Sequence, residues 1–232
     1  MEKQEPEKKK PRILCLHGYG SSAEIFKKVI YQWPESVTGK LDLVFLDGPF
    51  PAQAGKSPRE GFFDPPYFVW FPSNKDFKED CSFEECLKYI EDFMLKHGPF
   101  DGVLGFSQGT VLCATFPGMQ REGVALTKVP KIKFLIIISG AKFGGPTFSA
   151  PPLASNAFSS PINSPSLHFL GEADLQRKEG EILLECFVDP QVIHHSKGHT
   201  IPKLDDSNVE IMLGFIEKIS TTLKQGTSLS TV

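Results

Sequence analysis

The chain has 232 residues, of which 40% are hydrophobic and 23% are charged, and its formal net charge is −3. This composition predicts a soluble globular protein with one α/β domain, long enough to bury a full core. The negative charge argues against binding to nucleic-acid phosphates, and no apolar stretch approaches the ~20 residues of a membrane span.

The first residues predict a solvated tail. Residues 1–11 are rich in Glu, Lys and Pro and lack the apolar segment of a signal peptide. The run from Lys8 to Arg12 also fits a nuclear-localisation patch. The five cysteines are odd in number and have no zinc-ligand spacing, which indicates reduced thiols and no bound metal. We therefore expect a cytoplasmic protein, with entry into the nucleus as the alternative.

From residue 12 onward, short apolar runs alternate with amphipathic segments. This alternation predicts a six-stranded, mostly parallel, doubly wound sheet with helices on both faces. The sheet and its helices form a single predicted domain over residues 12–222, followed by a flexible tail over residues 223–232. The predicted strands are 13–16, 41–46, 102–106, 132–139, 167–170 and 192–194. The predicted helices are 23–33, 82–97, 108–119, 178–187 and 206–222.

The first predicted strand ends in the small-residue turn His17-Gly18-Tyr19-Gly20. A turn of this kind can aim the backbone N–H of Tyr19 at a substrate carbonyl oxygen. It lacks both the G-x-G-x-x-G pattern and the Walker lysine, which argues against a phosphate loop.

Two connections are too long to be simple turns, namely residues 47–81 and 140–166. Loops of this length are lids or binding walls unless they are disordered. The first holds a dense set of aromatic residues, which predicts the wall of a substrate pocket or, alternatively, a satellite core beneath the loop. The predicted substrate-binding residues are Phe62, Phe63, Tyr67 and Trp70.

The pentapeptide Gly105-Phe106-Ser107-Gln108-Gly109 joins the third predicted strand to a helix. In that context G-x-S-x-G is typical of a nucleophile elbow, whose strained turn lifts the serine hydroxyl above the sheet. The flanking glycines let neighbouring backbone approach. The helix start offers the Gln108 N–H to an oxyanion. The pentapeptide alone also fits an ordinary glycine-rich turn.

A serine nucleophile needs a base. His199 is the predicted base, because it lies in the turn between the last strand and the last helix, flanked by Gly198 and Pro202. His194 and His195 lie within the strand and are predicted to be structural or wall residues.

The base in turn needs an orienting carboxylate, which follows a later strand in this architecture. Asp174 directly follows the fifth strand and is the predicted acid. Glu172 is its near rival. Asp189 precedes the last strand and therefore lies at the wrong end of the sheet.

Taken in this order, the motifs at residues 14–20, 105–109, 171–174 and 198–202 resemble those of the FSH-type family of serine hydrolases, a branch of the α/β-hydrolases. The resemblance covers about residues 11–222, and the segment 64–67 with Trp70 is similar to the plant members in particular. It implies that Ser107 is the nucleophile, Asp174 the orienting acid and His199 the base. It also implies carboxylesterase or thioesterase activity.

The predicted function is therefore hydrolysis of a small-molecule carboxylic ester through a Ser-His-Asp triad and an acyl-enzyme, without a cofactor and with neither nucleic acid nor membrane as a partner. One alternative within this class is an acyl-thioesterase. An alternative from another class is a ligand-binding receptor on a hydrolase scaffold. The sequence patterns leave the oligomeric state open.

Overall fold

The computed structural model describes residues 9–52, 57, 59–72 and 82–228. The predictions for residues 1–8 and 229–232 lie outside this part of the chain. In chain order the strands are β1 (Arg12–Leu16), β2 (Asp42–Leu46), β3 (Phe50–Pro51), β4 (Phe68–Val69), β5 (Gly102–Phe106), β6 (Phe134–Ile138), β7 (Ser166–Gly171) and β8 (Gln191–His195). The α-helices are α1 (Ala23–Ile30), α2 (Glu35–Thr38), α3 (Ser82–His97), α4 (Gln108–Glu122), α5 (Arg177–Leu184) and α6 (Asp206–Ser228).

Six strands form one parallel sheet in the order β2-β1-β5-β6-β7-β8. The predicted fold class is thereby confirmed, and each predicted strand overlaps a strand of this sheet. From β1 the chain first builds outward to β2 and then crosses to β5 on the other side. The strand order therefore reverses at β1 and β5, and ligands of open α/β sheets bind at the carboxyl ends of strands at such a point.

The sheet is covered on both faces, which explains why its central strands are apolar throughout. Alternate side chains of each strand enter opposite layers. Leu14 and Leu135 face a layer formed with α3 and α4. Ile13 and Ile136 face a second layer, formed with α1 and α6.

The last helix is longer than the sequence pattern predicted. It continues past residue 222 to Ser228, and the flexibility of residues 223–232 stays a prediction. The helix continues because Leu223 still packs against the layer formed by α1 and α6. None of the helices in the described ranges has the length and apolar character needed to cross a membrane.

The two long connections lie over the carboxyl edge of the sheet. The first contains the β3–β4 hairpin, whose Phe68 N–H donates to the carbonyl of Ser21 at 2.6 Å. The second contains a 3₁₀ turn over Pro152–Ala154. Rings of the two connections pack together, with Phe71 and Phe143 5.4 Å apart between centroids. The described parts of the two connections thus pack against each other, and their role as pocket walls stays a prediction.

Candidate active site

Ser107 occupies the sharp turn between β5 and α4. Its backbone has φ +52° and ψ −118°, which is a strained conformation for a residue with a side chain. The Ser107 N–H donates to the carbonyl of Ile138 at 3.1 Å, which ties the turn to the end of the neighbouring strand. The strained elbow predicted from the sequence is confirmed.

Gly109 explains why the first turn of α4 lies so close to β1. A Cβ at this position would stand 2.2 Å from the carbonyl oxygen of Leu16 and 2.7 Å from that of His17. Only glycine permits this approach, which brings the start of α4 against the turn that follows β1.

His199 connects Ser107 to Asp174 through hydrogen bonds. The distance from Nε2 to the Ser107 Oγ is 2.8 Å. The distances from Nδ1 to the Asp174 Oδ2 and Oδ1 are 2.9 Å and 3.2 Å. A carboxylate accepts hydrogen bonds, so Nδ1 carries the proton and Nε2 is left with a lone pair that accepts the serine hydroxyl. The arrangement can therefore remove a proton from Ser107.

Two loops must meet to bring His199 onto Asp174. The Glu172 N–H donates to the carbonyl of His195 at 2.8 Å, and the Ala173 N–H to that of Lys197 at 3.3 Å. Gly171 makes this approach possible, because a Cβ there would lie 2.5 Å from the Lys197 oxygen. Gly171 thus permits close packing between the two loop backbones.

The two polar partners differ in exposure. The Asp174 side chain is 3% exposed, whereas that of His199 is 32% exposed. A second donor fixes the carboxylate, since the Gln176 N–H lies 2.8 Å from Oδ1. A substrate can therefore reach the imidazole but not the carboxylate that orients it.

The rival residues lie elsewhere. Glu172 and His194 are exposed, and the Asp189 side chain is 91% exposed, with Lys218 4.0 Å away. His195 is buried, but neither of its ring nitrogens has a hydrogen-bond partner in the described part of the chain. The hydrogen bonds to Ser107 and Asp174 are those of His199.

His17 supports the turn after β1, a role that the sequence analysis missed. The Gly48 N–H donates to Nε2 at 2.9 Å, so Nδ1 carries the proton and donates to the carbonyl of Gly18 at 2.8 Å. Burial lowers the pKa of His17 to about 4, which keeps the ring neutral. The His17-Gly18 pair was the available sequence signal, but its partner at Gly48 lies 31 residues further along the chain.

Two backbone N–H groups were predicted to hold an oxyanion. That of Gln108 belongs to the first residue of α4, where N–H groups have no intrahelical acceptor. Tyr19 follows Gly18, whose Cβ position would lie 3.3 Å from the Ser107 Cβ. The turn after β1 therefore borders the serine, and the Tyr19 N–H stays a prediction.

Trp70 differs from its prediction as a substrate-binding residue. It is 0% exposed, so it has no surface that a substrate could contact. Its indole N–H donates to the carbonyl of His17 at 2.7 Å, and its backbone N–H donates to the Gln108 Oε1 at 3.0 Å. The backbone N–H is thus satisfied by the elbow and the indole N–H by the turn after β1, so the residue can be fully buried. Trp70 therefore ties the first long connection to the elbow and to the turn after β1.

The other three predicted substrate-binding residues lie together. Phe62, Phe63 and Tyr67 line a cavity of about 600 Å³, bordered on its other side by Pro51 and Ala52. Phe62 is 83% exposed. The residues that line this cavity do not include Ser107, Asp174 or His199, so contact between these rings and a substrate stays a prediction. No cluster of His, Cys, Asp and Glu in the described ranges could hold a metal ion.

Comparisons with known proteins identify the family of this chain. A family model described as Serine hydrolase (FSH1) matches residues 5–211. Esterase FUS5 of Gibberella moniliformis is 32% identical over 209 residues, which cover 87% of this chain and 84% of the relative. Esterase OVCA2 of Mus musculus is 30% identical over 209 residues, covering 82% of this chain and 89% of the relative.

Solved structures with a similar fold include two plant proteins. Arabidopsis thaliana SOBER1 has a TM-score of 0.56 at 18% identity, covering 91% of this chain and 99% of that chain. Zea mays acyl-protein thioesterase 2 has a TM-score of 0.57 at 18% identity, covering 94% of this chain and 96% of that chain. At this identity the likeness concerns the fold alone.

Proposed function

The chain belongs to the serine hydrolase (FSH1) family and is an ester-cleaving enzyme, and from this premise we propose that it works through an acyl-enzyme formed on Ser107. The observation that carries the proposal is the unbroken chain of hydrogen bonds from the Ser107 Oγ through His199 to Asp174, with 2.8 Å and 2.9 Å between the bonded atoms. A hydroxyl becomes an effective nucleophile when a positioned base accepts its proton.

The reaction follows from this arrangement. The Ser107 Oγ attacks the ester carbonyl while its proton passes to the His199 Nε2, and Asp174 stabilises the imidazolium. The backbone N–H groups of Gln108 and Tyr19 hold the negative charge that develops on the carbonyl oxygen. His199 then protonates the leaving alkoxide. Water repeats the sequence on the acyl-enzyme and releases the acid, so the protein side chains complete the cycle without a cofactor.

We propose that three aromatic residues of the first long connection select the substrate. Phe62, Phe63 and Tyr67 offer apolar surface around a cavity of a size that suits a small molecule. Such a surface favours an ester whose acyl or alcohol group is apolar where it meets these rings.

The proposed location is the cytoplasm. Cys15, Cys86, Cys113 and Cys186 are all free thiols, as expected of a protein in a reducing compartment. Microscopy of the full chain carrying a fluorescent protein tests this, since accumulation in the nucleus would favour the alternative based on the run from Lys8 to Arg12.

Labelling with a fluorophosphonate probe and turnover of p-nitrophenyl acetate and octanoate test the proposed chemistry. The wild type should react with the probe and hydrolyse at least one ester. Ser107→Ala should no longer react with the probe, and its kcat for ester hydrolysis should fall by a factor of about 10⁶. Ser155→Ala, which removes an exposed hydroxyl far along the chain, should retain both.

The alternatives give different results in the same assays. Labelling without turnover of esters or acyl-thioesters would favour a receptor on a hydrolase scaffold. Faster turnover of acyl-thioesters than of the matched oxygen esters would favour a thioesterase. Residual ester hydrolysis by Ser107→Ala within tenfold of the wild type would refute the proposed nucleophile.

A further inference from the structure

Arg59 brings a positive charge next to the candidate active site. Its guanidinium carbon lies 5.6 Å from the centre of the Phe106 ring. Phe106 directly precedes Ser107, and its ring centre lies 5.4 Å from that of His199. The Arg59 guanidinium carbon therefore lies no farther from the centre of the His199 ring than the sum of these two distances. A substrate with a short carbon chain can span that separation.

The backbone around Arg59 is tied to the turn after β1. The Arg59 N–H donates to the Ser57 Oγ at 3.0 Å, and the Ser57 hydroxyl donates to the carbonyl of Gly20 at 2.6 Å. Gly20 is the residue after Tyr19, whose N–H is a proposed oxyanion donor. The backbone that carries the Arg59 guanidinium is therefore held against the turn after β1.

Among the described residues Arg59 has no acidic partner, which distinguishes it from the other three arginines of the chain. Arg12 pairs with Asp42, Arg121 with Glu122 and Arg177 with Glu181, at N–O distances of 2.6, 3.1 and 2.8 Å. Over the part of the chain that the structure describes, the guanidinium of Arg59 forms neither an ion pair nor a hydrogen bond, and its Nε is buried without an acceptor.

The guanidinium of Arg59 is partly desolvated without an anion to compensate for its lost hydration. Arg59 is half-buried, and burial without a compensating carboxylate lowers its pKa, although the group remains a cation at neutral pH. The face of the Phe106 ring attracts the cation but offers no lone pair to the buried Nε–H. A buried donor without an acceptor costs free energy, and a planar fork of N–H groups matches a carboxylate.

We propose that Arg59 binds a carboxylate of the substrate, so that this enzyme acts on esters that carry a second, ionised carboxyl group. The proposal rests on the proposed function, because it names the substrate class of that same site. The bound carboxylate supplies the negative partner that the Arg59 guanidinium lacks among the described residues. It also places the ester group of a short substrate within reach of Ser107.

Matched ester pairs test this. The first pair is monomethyl glutarate and its neutral amide analogue, methyl glutaramate, which differ on the acyl side. The second pair is 3-acetoxypropanoate and 3-acetoxypropanamide, which differ on the alcohol side. In at least one pair the wild type should have a kcat/KM about 10- to 100-fold higher for the acid, the effect of one charge-assisted hydrogen-bonded contact. The pair that responds identifies the side on which the carboxylate lies.

Variants assign the preference to Arg59. Arg59→Met should bring the acid-to-amide ratio close to one, and Arg59→Lys should retain part of it, since the charge remains but the fork is lost. Lys28→Met is the matched control, because it removes one positive charge from an exposed helix face and should keep the wild-type ratio. Melting curves recorded for each variant identify any that fails to fold, and Arg59→Gln then replaces Arg59→Met.

Calorimetric titration with glutarate gives a readout that is independent of turnover. Wild type should bind glutarate, and Arg59→Met should bind it at least tenfold more weakly. Equal hydrolysis of acid and amide by the wild type, or an acid-to-amide ratio that survives in Arg59→Met, would overturn the carboxylate site and leave the proposed function intact. Arg59-dependent binding of glutarate without turnover of any ester would support the carboxylate site and refute the proposed function.

Discussion

The side chain of Gln108 holds the backbone of Trp70 against the nucleophile elbow. Its Oε1 accepts the Trp70 N–H at 3.0 Å, and its Nε2 donates to the carbonyl of Phe71 at 2.8 Å. Gln108 directly follows Ser107 and is buried. One residue thus offers its backbone N–H toward the proposed oxyanion position while its amide fixes the long connection that covers the site. Geometry at the serine and order in the loop are coupled through this side chain.

Gln108→Ala should therefore impair both folding and catalysis. The substitution removes the acceptor of a buried N–H and the donor to a buried carbonyl, at about 1–3 kcal/mol each. We expect the free energy of unfolding to fall by about 2–6 kcal/mol and kcat/KM to fall at least tenfold. Denaturant titration and ester turnover at a temperature where the variant stays folded measure the two effects.

Gln120 provides a matched control for Gln108. Its side-chain amide also bridges backbone groups, donating to the carbonyl of Leu126 at 3.0 Å and accepting the Ile132 N–H at 3.0 Å, but at the far end of α4. Gln120→Ala should lose stability to a similar degree while keeping wild-type kcat/KM. Equal losses of activity in both variants would mean that Gln108 affects catalysis through stability alone.

His199→Ala should be nearly inactive, whereas His195→Ala should be active. Removal of His199 leaves the Ser107 hydroxyl without a base, and loss of a triad histidine in a comparable enzyme costs about 10⁶ in kcat. The His195 ring makes no hydrogen bond in the described part of the chain, so its loss affects packing only. Steady-state turnover of p-nitrophenyl acetate distinguishes the two variants. A folded but inactive His195→Ala variant would contradict the assignment of the base to His199.

Asp174→Asn should lower kcat by about 10³–10⁴, less than loss of the serine does. The amide can still hold the imidazole, but it favours the tautomer whose Nε2 carries the proton and cannot accept one from Ser107. Glu172→Gln is the control, because that carboxylate is two residues away and exposed. Rate constants from saturation kinetics test the ranking, and the reverse ranking would move the acid to Glu172.

Comparison of sequence and structure shows which features a pattern can reveal. The six sheet strands were found because each is a short apolar run between turn residues, and the site followed from chain order, with Ser107, Asp174 and His199 each placed after a strand. The burial of Trp70 was not predictable in the same way. It depends on acceptors at Gln108 and His17, which lie 38 and 53 residues away, and a long loop has no periodicity that would indicate such partners.

Gly109 and Gly214 should respond in opposite directions to the same substitution. In Gly109→Ala the new methyl group would lie 2.2 Å from a backbone oxygen that cannot move aside, so we expect stability to fall by about 2–3 kcal/mol. Gly214 is exposed within α6 and has nothing within 4 Å of its Cβ position. Gly214→Ala should gain about 0.5–1 kcal/mol from helix propensity. Denaturant unfolding of both variants measures the difference, and a neutral Gly109→Ala would show that α4 does not require its close approach to β1.

Acid should destabilise the fold through buried neutral histidines. Burial lowers the pKa of His17 to about 4 and that of His168 to about 3, from 6.5 for both, and it also lowers the pKa of His195. Above pH 6.5 these rings are neutral in both states and cost nothing. As the pH falls below 6.5, these histidines become protonated in the unfolded chain but stay neutral in the native state until the pH reaches their lower folded pKa. The free energy of unfolding therefore declines between pH 6.5 and those folded pKa values. At pH 5 the loss is about 2 kcal/mol for each of His17 and His168.

His168→Gln should reduce this pH dependence. Glutamine can still bond to the Ser166 Oγ, which lies 3.0 Å from the His168 Nε2, but it does not titrate. The free energy of unfolding, measured in urea at pH 7 and pH 5, should fall by about 4 kcal/mol in the wild type and by about 2 kcal/mol less in the variant. This range avoids the protonation of most carboxylates, which occurs below it. His97→Gln removes an exposed ring on α3 and serves as the control. If wild type and His168→Gln lost the same free energy of unfolding between pH 7 and pH 5, His168 would not contribute to the pH dependence. The protons taken up on unfolding would then bind to other groups.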